Sequence, residues 1–290
     1  MGVFPYRNYT ISPLLPESCT FRWMKINLNS FRNPFIITLL IVCGCENKRT
    51  GSITATPPPP KSLSYSIQAS YPHDTAAYTQ GLVIYKGSLY EGTGNYGKSL
   101  VRKVDLKTGK SLQQVALGEK FFGEGIAILR DTVYQLTWQE KKVFVYTLPT
   151  LKKINEFDVP FDGWGLTQDG SNLIVSNGSG ELFFYRPMDF KLLRSQVVVE
   201  SGTPSFNLNE LEYIDGFVYA NQYTTPYILK IDPNAGEVVG KIDLTETWNR
   251  NRSLHPKADV PNGIAYDSDT KKIYITGKWW PELYEIQLSQ

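Results

Sequence analysis

The stretch FFGEGIAIL, residues 121–129, sets one carboxylate between two glycines, behind two phenylalanines and ahead of an apolar run. A carboxylate held against aromatic surface is desolvated, which moves it toward the range useful for proton transfer. Four other segments share the form of Glu124-Gly125-Ile126: Gln80-Gly81-Leu82, Trp164-Gly165-Leu166, Asn209-Glu210-Leu211 and Asn262-Gly263-Ile264. If turn geometry alone mattered, the residues beside the glycine should be alike, but they are an acid, an indole and three amides. Singly, each has an ordinary reading: tryptophan as core, asparagine as turn former, Glu124 as a turn residue satisfied by backbone N–H groups. Their shared position instead points to a ring of unlike groups around one small ligand. A second set, Glu91, Trp138, Asn177, Tyr223 and Lys278, falls near the ends of the strands that follow and is expected at the same mouth.

What must bring these residues together is a repeat. Each segment opens an aliphatic strand, followed by a turn and a second strand (GSLYEGTG, DTVYQLTW, SNLIVSNG, GFVYANQY, KKIYITGK) and by a third such as KVFVYTL or YILKIDP. In four of the five units a turn and a fourth strand come next, as in Asn234-Ala235-Gly236-Glu237 before VVGKIDL. A period of roughly 40–50 residues with about four strands per unit predicts a β-propeller. The last unit lacks its fourth strand, and LSYSIQASY, residues 63–71, has no unit of its own. The expectation is an all-β, five-bladed β-propeller over residues 63–290, with the ring closed by that N-terminal strand. A β-sandwich of similar strand count would not repeat its turns in step.

The bulk numbers agree. The chain has 290 residues, 41% hydrophobic, enough for a sizeable core. A net charge of +2 gives no general attraction to nucleic acid, and no nucleic-acid partner is expected. Only two histidines, His73 and His255, are present, and no cysteine follows Cys45. The domain therefore offers neither a thiol nucleophile nor the usual histidine-rich zinc site.

The ordered motifs Tyr78-Thr79-Gln80-Gly81-Leu82, Phe122-Gly123-Glu124-Gly125, Leu136-Thr137-Trp138, Gly163-Trp164-Gly165-Leu166-Thr167, Asn209-Glu210-Leu211-Glu212-Tyr213, Pro261-Asn262-Gly263-Ile264-Ala265-Tyr266 and Thr276-Gly277-Lys278 resemble the plant-type glutaminyl cyclases, the glutamine cyclotransferases of plants and bacteria. The resemblance runs from about Tyr78 to Leu288. It implies an enzyme that turns the N-terminal glutamine of a peptide or protein into pyroglutamate with release of ammonia, and that needs no cofactor and no metal. It assigns site roles to Gln80, Phe122, Glu124, Trp138, Trp164, Asn209 and Lys278, with Glu124 and Lys278 as the catalytic pair. Tyr223 and Asn262 join the substrate-binding set through their place in the rings. Tyr78 stands where the family often has phenylalanine and Tyr223 where it often has tryptophan, so both departures keep an aromatic face. Two other readings stay open: a non-catalytic envelope propeller that binds peptides, and a metal-dependent propeller hydrolase using Glu91, Glu124, Asn177, Asn209 and Asn262.

The N-terminal segment reads as targeting rather than fold. Residues 1–45 are expected to be a signal peptide, with Met24 an alternative start: Lys25 and Arg32 precede a short apolar run from Phe35 to Val42, too short for a comfortable membrane span. Val42-Cys43-Gly44-Cys45 resembles a bacterial lipoprotein cleavage box, which would make Cys45 a lipidated N-terminus. Residues 46–62, with Pro57–Pro60, read as a stiff linker. The expected location is the extracytoplasmic side of the bacterial cell envelope, with membrane contact only through the lipid anchor.

Overall fold

The computed structural model describes residues 57–289. The expected signal peptide, the expected lipidation site Cys45 and residues 46–56 of the expected linker lie outside the described residues. The elements follow in chain order: β1 (Lys61–Ser62) and β2 (Tyr65–Pro72); β3–β6 (Thr79–Tyr85, Ser88–Thr93, Leu100–Val104, Ser111–Ala116); β7–β10 (Gly123–Leu129, Thr132–Thr137, Lys142–Thr147, Lys152–Asp158); β11–β14 (Leu166–Gln168, Leu173–Val175, Glu181–Arg186, Lys191–Val197); the small hairpin β15–β16 (Val199–Glu200, Thr203–Pro204); β17–β20 (Leu208–Ile214, Phe217–Gln222, Tyr227–Ile231, Val238–Asp243); helix α1 (Thr245–Leu254); and β21–β23 (Pro261–Asp267, Lys272–Gly277, Glu282–Leu288).

The arrangement is all-β and propeller-like, built of small antiparallel sheets. Four sheets hold four strands each: β3–β6, β7–β10, β11–β14, and β21–β23 with β2 at the outer edge. The sheet of β17–β20 departs from the expected unit, because β1 adds to it as a fifth strand parallel to β20. The end of the proline-rich segment is therefore part of the fold rather than linker. Gly240 makes this possible: a Cβ there would lie 2.7 Å from Leu63 Cδ1, so glycine leaves the seat for Leu63. β2 pairs with β23 from Tyr65–Leu288 to Pro72–Glu282.

Two-residue turns join several inner hairpins. Lys86-Gly87, Arg130-Asp131 and Asp215-Gly216 all have positive φ, the geometry that matches the twist of the flanking strands. Burial falls off from the axis outward. Every residue of β7 is buried, whereas β6 and β10 are largely exposed. Apolar clusters fill the gaps between neighbouring sheets: Val83, Ile126 and Phe144 in one, Leu136, Leu166 and Tyr185 in the next.

Helix α1 was not foreseen, since TETWNRNRSL carries no apolar stripe. It is held by one apolar anchor, Trp248 packed against the cluster of Leu244, Trp280 and Tyr284, and by polar contacts. Tyr65 Oη and Thr247 Oγ1 are 2.5 Å apart, and Asn251 Nδ2 donates to Tyr284 Oη at 2.9 Å.

The innermost strands touch in a closed order: β3 lies against β7, β7 against β11, β11 against β17, β17 against β21, and β21 against β3. Their backbones meet so closely that the glycine slots admit no side chain. A Cβ on Gly125 would sit 2.5 Å from Leu166 N, and one on Gly165 would overlap the Asn209 carbonyl. Gly165→Ala is expected to cost about 3 kcal/mol or more by equilibrium urea unfolding, since both partners are backbone and cannot yield. Gly216→Ala, with φ +90° but open space around it, should cost only about 1 kcal/mol. Equal losses at the two positions would contradict axial crowding.

Candidate active site

The crowding at the axis also aims the site residues. Pairing between inner and second strands breaks register at one place in each of four sheets: between Thr79 and Gly81, Gly123 and Ile126, Leu208 and Leu211, and Pro261 and Ile264. These bulges lift Gln80, Glu124, Asn209 and Asn262 out of the ladder and re-aim their side chains. In the remaining sheet β11 begins only at Leu166, so Trp164 precedes the strand.

A bulge frees backbone N–H groups that must find partners across the gap. Gly125 N–H donates across it to the Trp164 carbonyl at 2.8 Å; in the sheet without a bulge, Gly165 N–H is held within its own unit by Ser176 Oγ at 2.8 Å. The fourth unit has Glu210 where the others have glycine. Its carboxylate accepts from Leu82 N–H at 3.2 Å and Ile264 N–H at 2.9 Å, tying β3 and β21 to β17. Glu212, two residues on, accepts from Tyr266 N–H and Thr167 Oγ1. Burial pushes both acids up, Glu212 to about 8 and Glu210 well above the carboxylate range. They brace the axis. Beyond them, at the far ends of the inner strands, lies a separate cavity of about 270 Å³ lined in part by Glu212.

At the near mouth Gln80, Asn262 and Lys278 form one knot. Lys278 Nζ and Asn262 Nδ2 both donate to Gln80 Oε1, the latter at 3.0 Å, and Asn262 Nδ2 also donates to the Thr79 carbonyl at 2.9 Å. The ammonium lies 4.2 Å from the Tyr78 ring centre and 5.9 Å from that of Tyr223. Burial lowers Lys278 to about 8, with Glu124, Asp259 and Glu210 opposing. Glu124 is 4% exposed and receives no hydrogen bond from any described residue, yet its oxygens are not among the side-chain atoms sealed from solvent. Burial lifts it well above the ordinary carboxylate range; Lys278 opposes this and Glu140 adds to it. Asn209 has a sealed, unpartnered Oδ1, which leaves its Nδ2 as the end facing open space.

Aromatic rings wall this mouth. Phe122 meets Trp138 at 5.6 Å and Tyr78 at 6.1 Å between centroids, Tyr78 meets Trp279 at 4.7 Å, and Trp164 meets Tyr223 edge-on at 5.6 Å. Trp279 has φ +59°, a rare backbone state for a bulky residue, and its N–H is held by the Ala77 carbonyl at 2.7 Å.

The second expected ring needs correcting. The residues level with Trp138, Tyr223 and Lys278 are Gly94 and Gly178, not Glu91 and Asn177. A Cβ on Gly94 would strike the Phe122 ring, and one on Gly178 would lie 2.8 Å from Trp164. Glycine stands at these two positions because aromatics of the first ring fill the space. Glu91 lies below the mouth, 1% exposed, accepting from Thr79 Oγ1 at 2.7 Å, Arg102 Nε at 2.8 Å and His73 Nε2 at 3.1 Å. Burial works against its charge, but Arg102 and His73 hold it at about 2. His73 Nδ1 lies 2.7 Å from the Trp280 carbonyl, so this buried cluster grips both the strand of Gln80 and the loop of Lys278. Sequence reasoning missed Trp279, Tyr96 and Glu140. Trp279 is adjacent to Lys278 in the chain, but its orientation depends on a left-handed residue that no motif announces.

Comparison with known proteins identifies the family. The sequence profile of the glutamine cyclotransferase family matches residues 36–288. A glutaminyl-peptide cyclotransferase of Arabidopsis thaliana is 41% identical over 228 residues, 77% of this chain and 71% of that one. The crystal structure of Myxococcus xanthus glutaminyl cyclase matches with a TM-score of 0.75 and 34% identity, over 79% of this chain and 98% of that one. With the knot of Gln80, Asn262 and Lys278 and the unpaired Glu124 inside one aromatic wall, these matches establish that the chain belongs to the glutamine cyclotransferase family.

Proposed function

We propose that this chain is a glutaminyl-peptide cyclotransferase that closes the N-terminal glutamine of a peptide into pyroglutamate, with Glu124 moving the proton. The observation that carries this reading is a buried carboxylate with no hydrogen-bond partner among the described residues, set beside a buried lysine within aromatic walls.

The substrate contains both reactants. Its α-amine attacks its own side-chain carboxamide carbon, a C–N bond forms, and the carbonyl oxygen becomes an oxyanion. Collapse breaks the bond to the amide nitrogen, which leaves as ammonia. Proximity is partly built in, so the aromatic wall serves mainly to select the ring-closing rotamer. The amine, with a pKa of about 8, attacks as its free base; once bonded, its nitrogen must lose one proton, and the leaving nitrogen must gain one. Glu124 takes the first and delivers it to the second, and its raised affinity for a proton suits both steps. In this reading Lys278 and Nδ2 of Asn209 donate to the oxyanion; the burial of the lysine and the outward-facing amide nitrogen support it. Gln80 and Asn262 hold the lysine. Phe122, Trp138, Trp164 and Tyr223 exclude the water that would otherwise give glutamate.

The scaffold is read as a five-bladed propeller closed by β2. The ring order of the inner strands and the β2–β23 pairing support this. The reading also places the enzyme outside the cytoplasm, tethered through Cys45, on the support of the N-terminal sequence pattern alone.

Incubation with a Gln-initiated peptide should release one ammonia per molecule by mass spectrometry. Glu124→Gln should fold normally and lose at least about 100-fold in kcat; normal turnover by that variant would remove Glu124 from the mechanism. Activity should fall as pH rises through about 8, where Lys278 loses its charge. In Lys278→Arg that limb should move to higher pH whatever rate survives, because a guanidinium does not titrate there; an unmoved limb would show that a group other than Lys278 produces it. Exhaustive chelation should leave turnover unchanged, and loss restored by a divalent ion would make the metal-hydrolase reading the better one.

A further inference from the structure

Glu140 sits in the β8–β9 loop, two residues after Trp138, and no sequence motif or assigned role includes it. Its carboxylate takes two hydrogen bonds from different parts of the mouth: Phe122 N–H donates to Oε2 at 3.0 Å, and Tyr96 Oη donates to Oε1 at 2.8 Å. The same loop holds Phe122 from its other side, since Trp138 N–H donates to the Phe122 carbonyl at 3.0 Å. Tyr96 lies edge-on to the Phe122 ring at 5.4 Å, and its loop is tied again to this strand by Gly123 N–H donating to Ser99 Oγ at 2.9 Å. Glu140 is thus the joint between the β4–β5 loop, the β8–β9 loop and the backbone two residues before Glu124. Among the described residues no lysine or arginine pairs with it; the neighbouring Lys141 lies against Asp162 at 3.8 Å. An amide would serve equally well as acceptor for these two bonds, so the contacts alone do not call for a charge at this position.

We propose that Glu140 is a positioning residue for the cyclisation: it holds the Phe122 wall in place through Phe122 N–H and Tyr96, and its charge sets the electrostatic field at Glu124. This rests on the assignment of Glu124 as the proton carrier. The groups facing Glu124 are Lys278, which favours its charged form, Glu140, which disfavours it, and the phenols of Tyr78, Tyr96 and Tyr223. Burial lifts Glu124, and Lys278 pulls it back toward an ionised carboxylate, a poor donor to the departing nitrogen. Glu140 offsets that pull.

The test is the pH dependence of kcat/KM for a Gln-initiated peptide in wild type, Glu140→Gln, Tyr96→Phe and Glu124→Gln. Glu140→Gln keeps the shape and an acceptor oxygen but removes the charge, so its acidic limb should move to lower pH. Tyr96→Phe keeps the charge, so its limb should stay with wild type while KM rises. A Glu140→Gln limb superimposable on wild type would overturn the proposal, as would an equal displacement in Tyr96→Phe, which would mark a loosened mouth rather than a lost charge. Failure of the underlying reading is separately visible, because it would leave Glu124→Gln active.

Discussion

Contact between backbones at the axis is the constraint on which the rest of this structure depends. The inner strands approach so closely that Gly125 and Gly165 have no room for a Cβ, and the next unit's chain is what stands in the way. Strands pressed together in this way cannot keep a regular ladder at the point of contact. They bulge, and the residue before each glycine is turned toward the mouth. One steric fact thus creates the repeat, the register breaks and the convergence of Gln80, Glu124, Trp164, Asn209 and Asn262. The bulges in turn expose N–H groups, and Glu210 occupies a glycine slot as the acceptor that satisfies two of them.

The buried carboxylates near the axis show how context separates structure from chemistry. Glu210 and Glu212 are as buried as Glu124, and all three are pushed up by burial. Glu210 and Glu212 accept from fixed backbone donors on other strands, so their oxygens are committed. Among the described residues Glu124 has no such donor, so its oxygens are uncommitted. Glu91 is a fourth acid with a different solution: Arg102 and His73 keep it charged, and through Thr79 and Trp280 it supports the two segments that carry Gln80 and Lys278.

Much of the fold could be read from the chain because axial crowding demands glycine, and glycine at a fixed place in a recurring unit is visible in one sequence. The first ring was legible for the same reason. The second was read three residues out of step in the first unit and one in the third, because Glu91 and Asn177 are polar and invite a functional reading, whereas Gly94 and Gly178 look like turns. Their real role is to make room for Phe122 and Trp164, which only neighbouring units reveal. Helix α1 and strand β1 escaped notice because both are polar segments held by partners far away in the chain.

The sequence by itself determined the unit, its repetition, the identities of the residues at the first mouth ring and the family, since these follow from local sterics and ordered motifs. Tertiary structure alone decided which carboxylate is free. Glu124, Glu210 and Glu212 differ in hydrogen bonding through donors supplied by other strands, and Glu140 joins the mouth only because the chain folds it against Phe122 and Tyr96. Hydrogen bonds and charge–charge contacts act across space and bear no relation to spacing along the chain, so no pattern of residues could have declared them.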